Sequence, residues 1–133
     1  MKPPDPKIVA SIVFAAALGL VAVILPVFLH HVHLRPAPLF PVVATGIKKL
    51  SSLTLVLLFA SGFLVGLVGR GHPLLLGACT MALFPILAFA EMLSDHTSHN
   101  LFPIEFILYA VISLAAVAGA FLGRFLWNRF AKR

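Results

Sequence analysis

Acidic side chains are scarce in this sequence, and charge of either sign is rare. Asp and Glu number 4 among 133 residues, and charged residues make up 11%, against about 25% in ordinary soluble domains. Hydrophobic residues reach 61%, and the mean hydropathy is +1.08. A soluble domain of this length still exposes about a third of the surface of its unfolded chain, so it could not hide this much apolar surface from water. The composition excludes a soluble globular protein and predicts one domain whose solvent is lipid.

Cysteine and the common catalytic motifs are also missing. Cys79 is the only cysteine, which excludes a quinone-linked disulfide oxidoreductase because that class needs cysteine pairs. The glycines of residues 66–71 do not form a dinucleotide-binding fingerprint. Ser94, Asp95 and His96 are too close in sequence to form a catalytic triad, whose members usually come from separate elements. We therefore expect a protein that is not an enzyme.

Long apolar runs are what the sequence has in abundance. Hydrocarbon offers no partner to backbone groups, so only helices or closed barrels span it, and a spanning helix needs about 20 apolar residues. Four windows qualify, at residues 8–29, 50–69, 73–94 and 104–126. None alternates with the period of two that barrel strands need. We predict an all-α integral membrane protein whose single domain, residues 1–133, is an antiparallel up-down bundle of four transmembrane helices.

None of these windows carries an ionisable side chain at its centre. A transporter coupled to protons or cations normally needs at least one there, so this class is not indicated. The first window follows basic residues, as a secretory signal does, but its apolar run is longer than the apolar region of a signal peptide. We therefore expect it to be a retained transmembrane helix.

Positive charges are distributed unevenly between the two sides of the predicted bundle. The side with both termini holds seven, namely Lys2, Lys7, Arg70, Arg124, Arg129, Lys132 and Arg133. The opposite side holds Arg35, Lys48 and Lys49. Because cytoplasmic loops carry an excess of Lys and Arg, we predict that both termini are cytoplasmic and that the protein is a multi-pass component of a bacterial-type inner membrane. The net charge of +6 then requires no nucleic-acid partner.

Prolines and glycines mark the connections between the predicted helices. Residues 70–73 are so few that the second and third helices must form a tight hairpin, and Pro73 suits a first helical position. Residues 30–49 contain three prolines, which are expected to forbid a regular helix, although their apolar part suits the membrane interface. Pro85 is expected to kink the third helix and to free a carbonyl near residue 81.

Small residues recur at the spacing that lets transmembrane helices approach closely. Ala15, Ala16 and Gly19 form a small face on the first helix. Two G-x-x-x-G motifs, one each on the second and fourth helices, are formed by Gly62 and Gly66, and by Gly119 and Gly123. These motifs indicate close packing, either within the chain or against a second copy or another subunit.

The chain gathers acids and histidines together only in the stretch EMLSDHTSHNLFPIEF, residues 91–106. His96 and His99 form one H-x-x-H pair in this stretch. His30 and His33 form another at the end of the first helix, so both pairs lie on the same predicted side of the membrane. Imidazole and carboxylate groups suit divalent transition metals such as Zn²⁺, and a spacing of i, i+3 puts both members of a pair on one helical face. The candidate metal ligands are His30, His33, His96, His99, Glu91 and Asp95.

The same residues also have a purely structural interpretation. Glu105 lies in the first turn of the fourth helix, where a carboxylate interacts favourably with the helix dipole, and histidine is tolerated in the headgroup region. On this interpretation the protein has no cofactor and is a small polytopic accessory or scaffold subunit or a self-assembling helix bundle, alone as a homo-oligomer or with other membrane subunits. The alternative is a metal-binding or transport protein that uses the outward-facing cluster of histidines and acids.

Overall fold

The computed structural model describes residues 5–31, 33–34, 39–94 and 102–131. Within these ranges the chain forms helices and no strands. The helices are α1 (Pro6–Leu29), α2 (Pro41–Lys48), α3 (Ser52–Val68), α4 (Pro73–Cys79), α5 (Leu83–Ser94) and α6 (Phe102–Phe130).

Three helical stretches are long and apolar enough to cross a membrane: Pro6–Leu29, Pro73–Ser94 and Ile104–Phe130. α3 has 17 residues and qualifies as a fourth together with α2, although the two helices are bent by 104° at the break between them. The prediction of an all-helical protein suited to a membrane is confirmed to this extent, with three to four helices of the required length and hydropathy.

Local sequence explains where several helices begin. The Asp5 side chain accepts the backbone N–H of Lys7 at 2.9 Å and caps α1. Ser51 and Thr54 form a capping box at the start of α3, in which each side chain meets the backbone N–H of the other. α4 begins at Pro73, as predicted, because a missing N–H costs nothing at the first helical position.

α3 and α6 form the centre of the bundle and run parallel to each other. Gly62 lies against Ala116 and Gly66 lies against Ala120, so residue numbers rise together along the two helices. The buried hydrophobic residues of α6 recur every three or four positions, at Tyr109, Ile112, Ala116 and Ala120. An up-down bundle requires its second and fourth spans to point the same way, and here these two spans are in direct contact.

One end of the bundle, the hairpin end, contains the start of α1, the turn of residues 69–72 and the end of α6. The backbone N–H of Arg70 donates to Ser11 Oγ at 2.9 Å, which joins the turn to α1. Arg124 Nη2 donates to the carbonyls of Gly69 at 2.6 Å and Gly71 at 3.0 Å, which joins the turn to α6. Both terminal helices therefore meet at the same end as the short turn.

The opposite end, the loop end, contains α2, the start of α3, the end of α5 and the start of α6. The expectation that prolines forbid a regular helix between residues 30 and 49 is wrong for the part that α2 occupies. Pro41 stands at the first turn of α2, where its fixed φ suits a helix, so it starts a helix and does not break one. α2 packs closely on α1. A Cβ at Gly46 would lie only 2.8 Å from the Val23 carbonyl oxygen, so the two backbones nearly touch there.

The third predicted span is divided into α4 and α5 by three turn residues. The amides of Thr80, Met81 and Ala82 donate to carbonyls three residues earlier, at 3.3, 3.1 and 3.2 Å, which is the tighter 3₁₀ pattern. Pro85 has no N–H to donate to Met81, but the Met81 carbonyl accepts the N–H of Phe84 at 3.2 Å. The irregularity predicted from Pro85 is present just before it, and the carbonyl expected to be free has a partner.

Candidate functional sites

The glycines of the two G-x-x-x-G motifs lie where α3 and α6 touch. A Cβ at Gly62 would overlap the Ala116 carbonyl oxygen, and a Cβ at Gly66 would overlap that of Ala120. Only a residue without a side chain allows the two backbones to come this close. The structure thus brings the α3 motif against small residues of the same chain.

The contact is reciprocal, because the glycines of α6 lie against backbone carbonyls of α3. A Cβ at Gly119 would overlap the Phe59 carbonyl oxygen, and one at Gly123 would overlap that of Phe63. Such approaches place glycine Cα–H groups against carbonyl oxygens, a weak attraction that recurs at helix–helix interfaces. We call these four contacts the glycine seam: Gly62, Gly66, Gly119 and Gly123, each with its facing carbonyl.

Two further glycines join the remaining spans in the same way. Gly19 of α1 lies against the carbonyl of Thr80, and Gly77 of α4 lies against the backbone of Val117 in α6. Ser61 Oγ of α3 also donates to the Leu18 carbonyl of α1 at 3.4 Å. All four predicted spans are therefore connected within one chain, chiefly through small residues.

Buried hydroxyl groups in the bundle are satisfied locally. Thr80 Oγ1 donates to the Gly77 carbonyl and Thr45 Oγ1 to the Pro41 carbonyl, both at 2.7 Å. In the part of the chain that the structure describes, no buried side-chain nitrogen or oxygen lacks a hydrogen-bond partner. The hydrogen-bonding capacity of these hydroxyl groups is therefore met within their own helical segments.

Glu91 is the buried acid of the candidate metal cluster. It lies in α5 with 7% of its surface exposed, and its Oε1 accepts the backbone N–H of Phe40 at 3.0 Å. The buried Tyr109 lies within electrostatic range of both Glu105 and Glu91. The loop end thus places two carboxyl groups and a phenol around the junction of α2, α5 and α6.

The histidines described by the structure do not share a helical face. α1 ends at Leu29, so His30 and His33 both follow the helix, and His31 between them has a left-handed backbone with φ 46°. The expectation that i, i+3 spacing would put His30 and His33 on one face is therefore wrong, since that rule holds only inside a helix. Both side chains are exposed.

The rest of the candidate metal cluster lies outside the described residues, namely Asp95, His96 and His99. Among the residues described, no group of three or more His, Cys, Asp or Glu side chains could hold a metal ion. The metal hypothesis therefore stays a prediction. Among the candidate ligands that the structure describes, Glu91 is buried, whereas His30 and His33 are exposed.

A small cavity lies at the loop end between α1, α2 and the start of α3. Its volume is about 30 Å³, which is roughly the room of one water molecule. The residues that line it are Val23, Pro26, Val27, His30, Gly46, Lys49, Ser51 and Thr54. It lies beside the α3 capping box.

Two contacts described here are not indicated by any sequence pattern. The Glu91–Phe40 bond joins positions 51 residues apart, and the Arg124 bonds join positions 55 and 53 residues apart. The signals in the sequence are an acid near the end of one apolar run and an arginine one turn inside the end of another apolar run.

Comparisons with protein-family models, with curated proteins and with solved structures find no match to this chain.

Proposed function

We propose that this chain is a non-enzymatic accessory or scaffold subunit that spans a bacterial-type inner membrane four times, with both termini in the cytoplasm. The observation that carries the proposal is the glycine seam together with the Gly19 and Gly77 contacts. Small residues on every predicted span are used to join the spans of one chain. A bundle closed in this way is suited to a structural role.

The use of the seam inside the chain also bears on the choice between a scaffold and a self-assembling bundle. Both G-x-x-x-G motifs are occupied by intramolecular contacts, so they are not available to a second copy in this arrangement. Partners would instead meet the outward faces, where large apolar side chains such as Phe14, Leu114 and Phe121 are exposed. We therefore favour association with other membrane subunits, with lipid covering the remaining surface.

The proposed orientation is supported by where the structure gathers positive charge. Lys7, Arg70, Arg124 and Arg129 belong to the hairpin end, whereas Lys48 and Lys49 belong to the loop end. An excess of Lys and Arg is typical of the cytoplasmic side. A reporter active only in the cytoplasm should work when fused after Arg133 and fail when inserted after Ala37; the reverse pattern would contradict the orientation.

Site-specific photo-crosslinking in native membranes tests the scaffold role. A photoreactive residue at Phe14 or Phe121, both outward-facing, should form a defined adduct with another polypeptide that mass spectrometry identifies. The same probe at Leu58, which is fully buried, should crosslink only within the chain. Adducts with a second copy alone would favour the self-assembling bundle. Absence of any adduct, combined with stoichiometric bound metal, would favour the metal-binding alternative.

A further inference from the structure

We propose that α5 is a hinged half-helix, which pivots at the 3₁₀ segment after α4 and is latched at its far end by the Glu91–Phe40 hydrogen bond. This inference concerns movement at the loop end and does not depend on the proposed scaffold role. It uses three features of the structure: a weak point in the third span, an unequal attachment of its two halves, and a long-range hydrogen bond at the tip.

The hinge is the segment in which the third span changes its hydrogen-bonding pattern. Thr80, Met81 and Ala82 bond to carbonyls three residues earlier, as does Phe84, and Pro85 has no N–H to donate. Stretches of 3₁₀ geometry in the middle of a helix often mark hinges, because their hydrogen bonds have poorer geometry than those of an α-helix. Rotation at this segment would move α5 and leave α4 in place.

The two halves of the third span are held in different ways. α4 touches its neighbour α6 backbone to backbone at Gly77, and the residue after α4, Thr80, lies against Gly19 of α1. α5 has no glycine, and its buried residues form one narrow stripe of Phe84, Ala88 and Glu91. Its ring contact with α6 is Phe84 on Tyr109, with centroids 6.2 Å apart. In the described part of the chain, α5 is therefore attached to the bundle through the side chains of this stripe.

The latch joins α5 to a part of the loop end that is itself fixed. Phe40 is the residue before α2, and α2 packs closely on α1 through Gly46. The Glu91 carboxyl group thus ties the tip of α5 to the α1–α2 pair. Its release would let water reach Glu91 and the Tyr109 phenol between α5 and α6, so opening is lateral and confined to the loop end.

Thiol reactivity in lipid nanodiscs tests the hinge. In a Cys79→Ala background, Ala88→Cys reports on the buried face of α5, and Ala15→Cys reports on a buried alanine at the hairpin half. Glu91→Leu removes the acceptor, whereas Glu91→Gln keeps an oxygen that can accept the Phe40 N–H. In Glu91→Leu, loss of one hydrogen bond of this kind should raise the rate of thiol modification at position 88 roughly tenfold. In Glu91→Gln this rate should stay near that of the parent. Position 15 should react slowly in both variants.

Three outcomes would overturn the proposal. An unchanged rate at position 88 in Glu91→Leu would show that Glu91 is not a latch. Equal acceleration at positions 88 and 15 would show that the whole bundle loosens and that α5 does not move as a unit. Finally, Pro85→Ala restores an N–H at the hinge and should reduce the acceleration caused by Glu91→Leu. Failure to do so would remove the hinge from the residues assigned here.

Discussion

The hairpin end and the loop end of the bundle are held together by different kinds of contact. At the hairpin end, Arg124 and Ser11 bind the turn of residues 69–72. The glycine-seam contacts nearer this end, those of Gly66 and Gly123, bring the backbones of α3 and α6 together. At the loop end, α2 packs on α1, and α5 is joined to its neighbours by side chains and by the Glu91–Phe40 bond. The hairpin end thus combines side-chain hydrogen bonds with close backbone packing of α3 on α6, whereas at the loop end α5 is attached through its side chains.

This difference shows how a chain with so few polar residues can be rigid in one part and adaptable in another. Lipid tails are as apolar as the side chains, so an apolar side chain gains little free energy when it moves from lipid into a helix interface. Helix association in a membrane therefore depends on close packing and on hydrogen bonds. Close packing requires small residues, and α3, α4 and α6 supply glycines towards the hairpin end, whereas α5 has none. We therefore expect stability to fall from the hairpin end towards the tip of α5.

The largest effect is expected in the glycine seam. Gly119→Leu places a side chain against the Phe59 carbonyl and forces α3 and α6 apart, which should destabilise the fold by about 3 kcal/mol. The matched control is Ala118→Leu, one residue earlier on an exposed position of the same helix, which should change little. Unfolding by detergent titration, followed by circular dichroism, measures both. Equal stability of the two variants would mean that α3 and α6 do not touch at this position.

The next effect is expected at Arg124. Replacing it with Met removes the donor to the Gly69 and Gly71 carbonyls and should cost about 2 kcal/mol, the range for a hydrogen bond to a charged group. Arg129→Met removes the same charge from an exposed position of the same helix and should have a much smaller effect. If both variants lose the same stability in the same titration, Arg124 acts through net charge and not through the turn.

How much of this architecture the sequence predicts depends on whether the cause is local. The apolar runs, Pro73 and the short 70–73 spacer are local features, and the helices and the hairpin that they indicate are present. The sequence does not predict α2, because three prolines nearby argue against a helix and because the packing of Gly46 on α1 is not visible in the sequence.

The candidate site was predictable only in part. Glu91 stands out in the sequence as one of few acids, but its contact with Phe40 depends on where the structure places the start of α2. The spacing of His30 and His33 indicates a helical face only if the helix continues, and the apolar pattern does not show that it ends at Leu29. Long-range contacts and helix ends are thus what the residue pattern did not determine.

A smaller effect is expected at the loop end from the α3 capping box. Ser51→Ala removes the side-chain acceptor of the Thr54 N–H and should cost about 1 kcal/mol. Ser52→Ala is the matched control, since Ser52 is exposed and follows the cap. The difference should appear in the unfolding titration and as faster amide hydrogen exchange in the first turn of α3, with α6 unaffected. Unchanged exchange in that turn would show that the cap does not hold α3.

The smallest effect is expected for the exposed histidines beside the loop end. His30→Ala with His33→Ala should change the unfolding free energy by less than about 0.5 kcal/mol, because both side chains are exposed and follow the end of α1. If these histidines instead joined His96 or His99 around a metal ion, the same substitutions and a chelator would each destabilise the protein, since metal binding contributes to folding stability. The decisive comparison is the parent protein with and without chelator, followed by the double variant. Destabilisation by the chelator that disappears in the double variant would establish a metal site and would make the loop end, like the hairpin end, a region fixed by strong contacts.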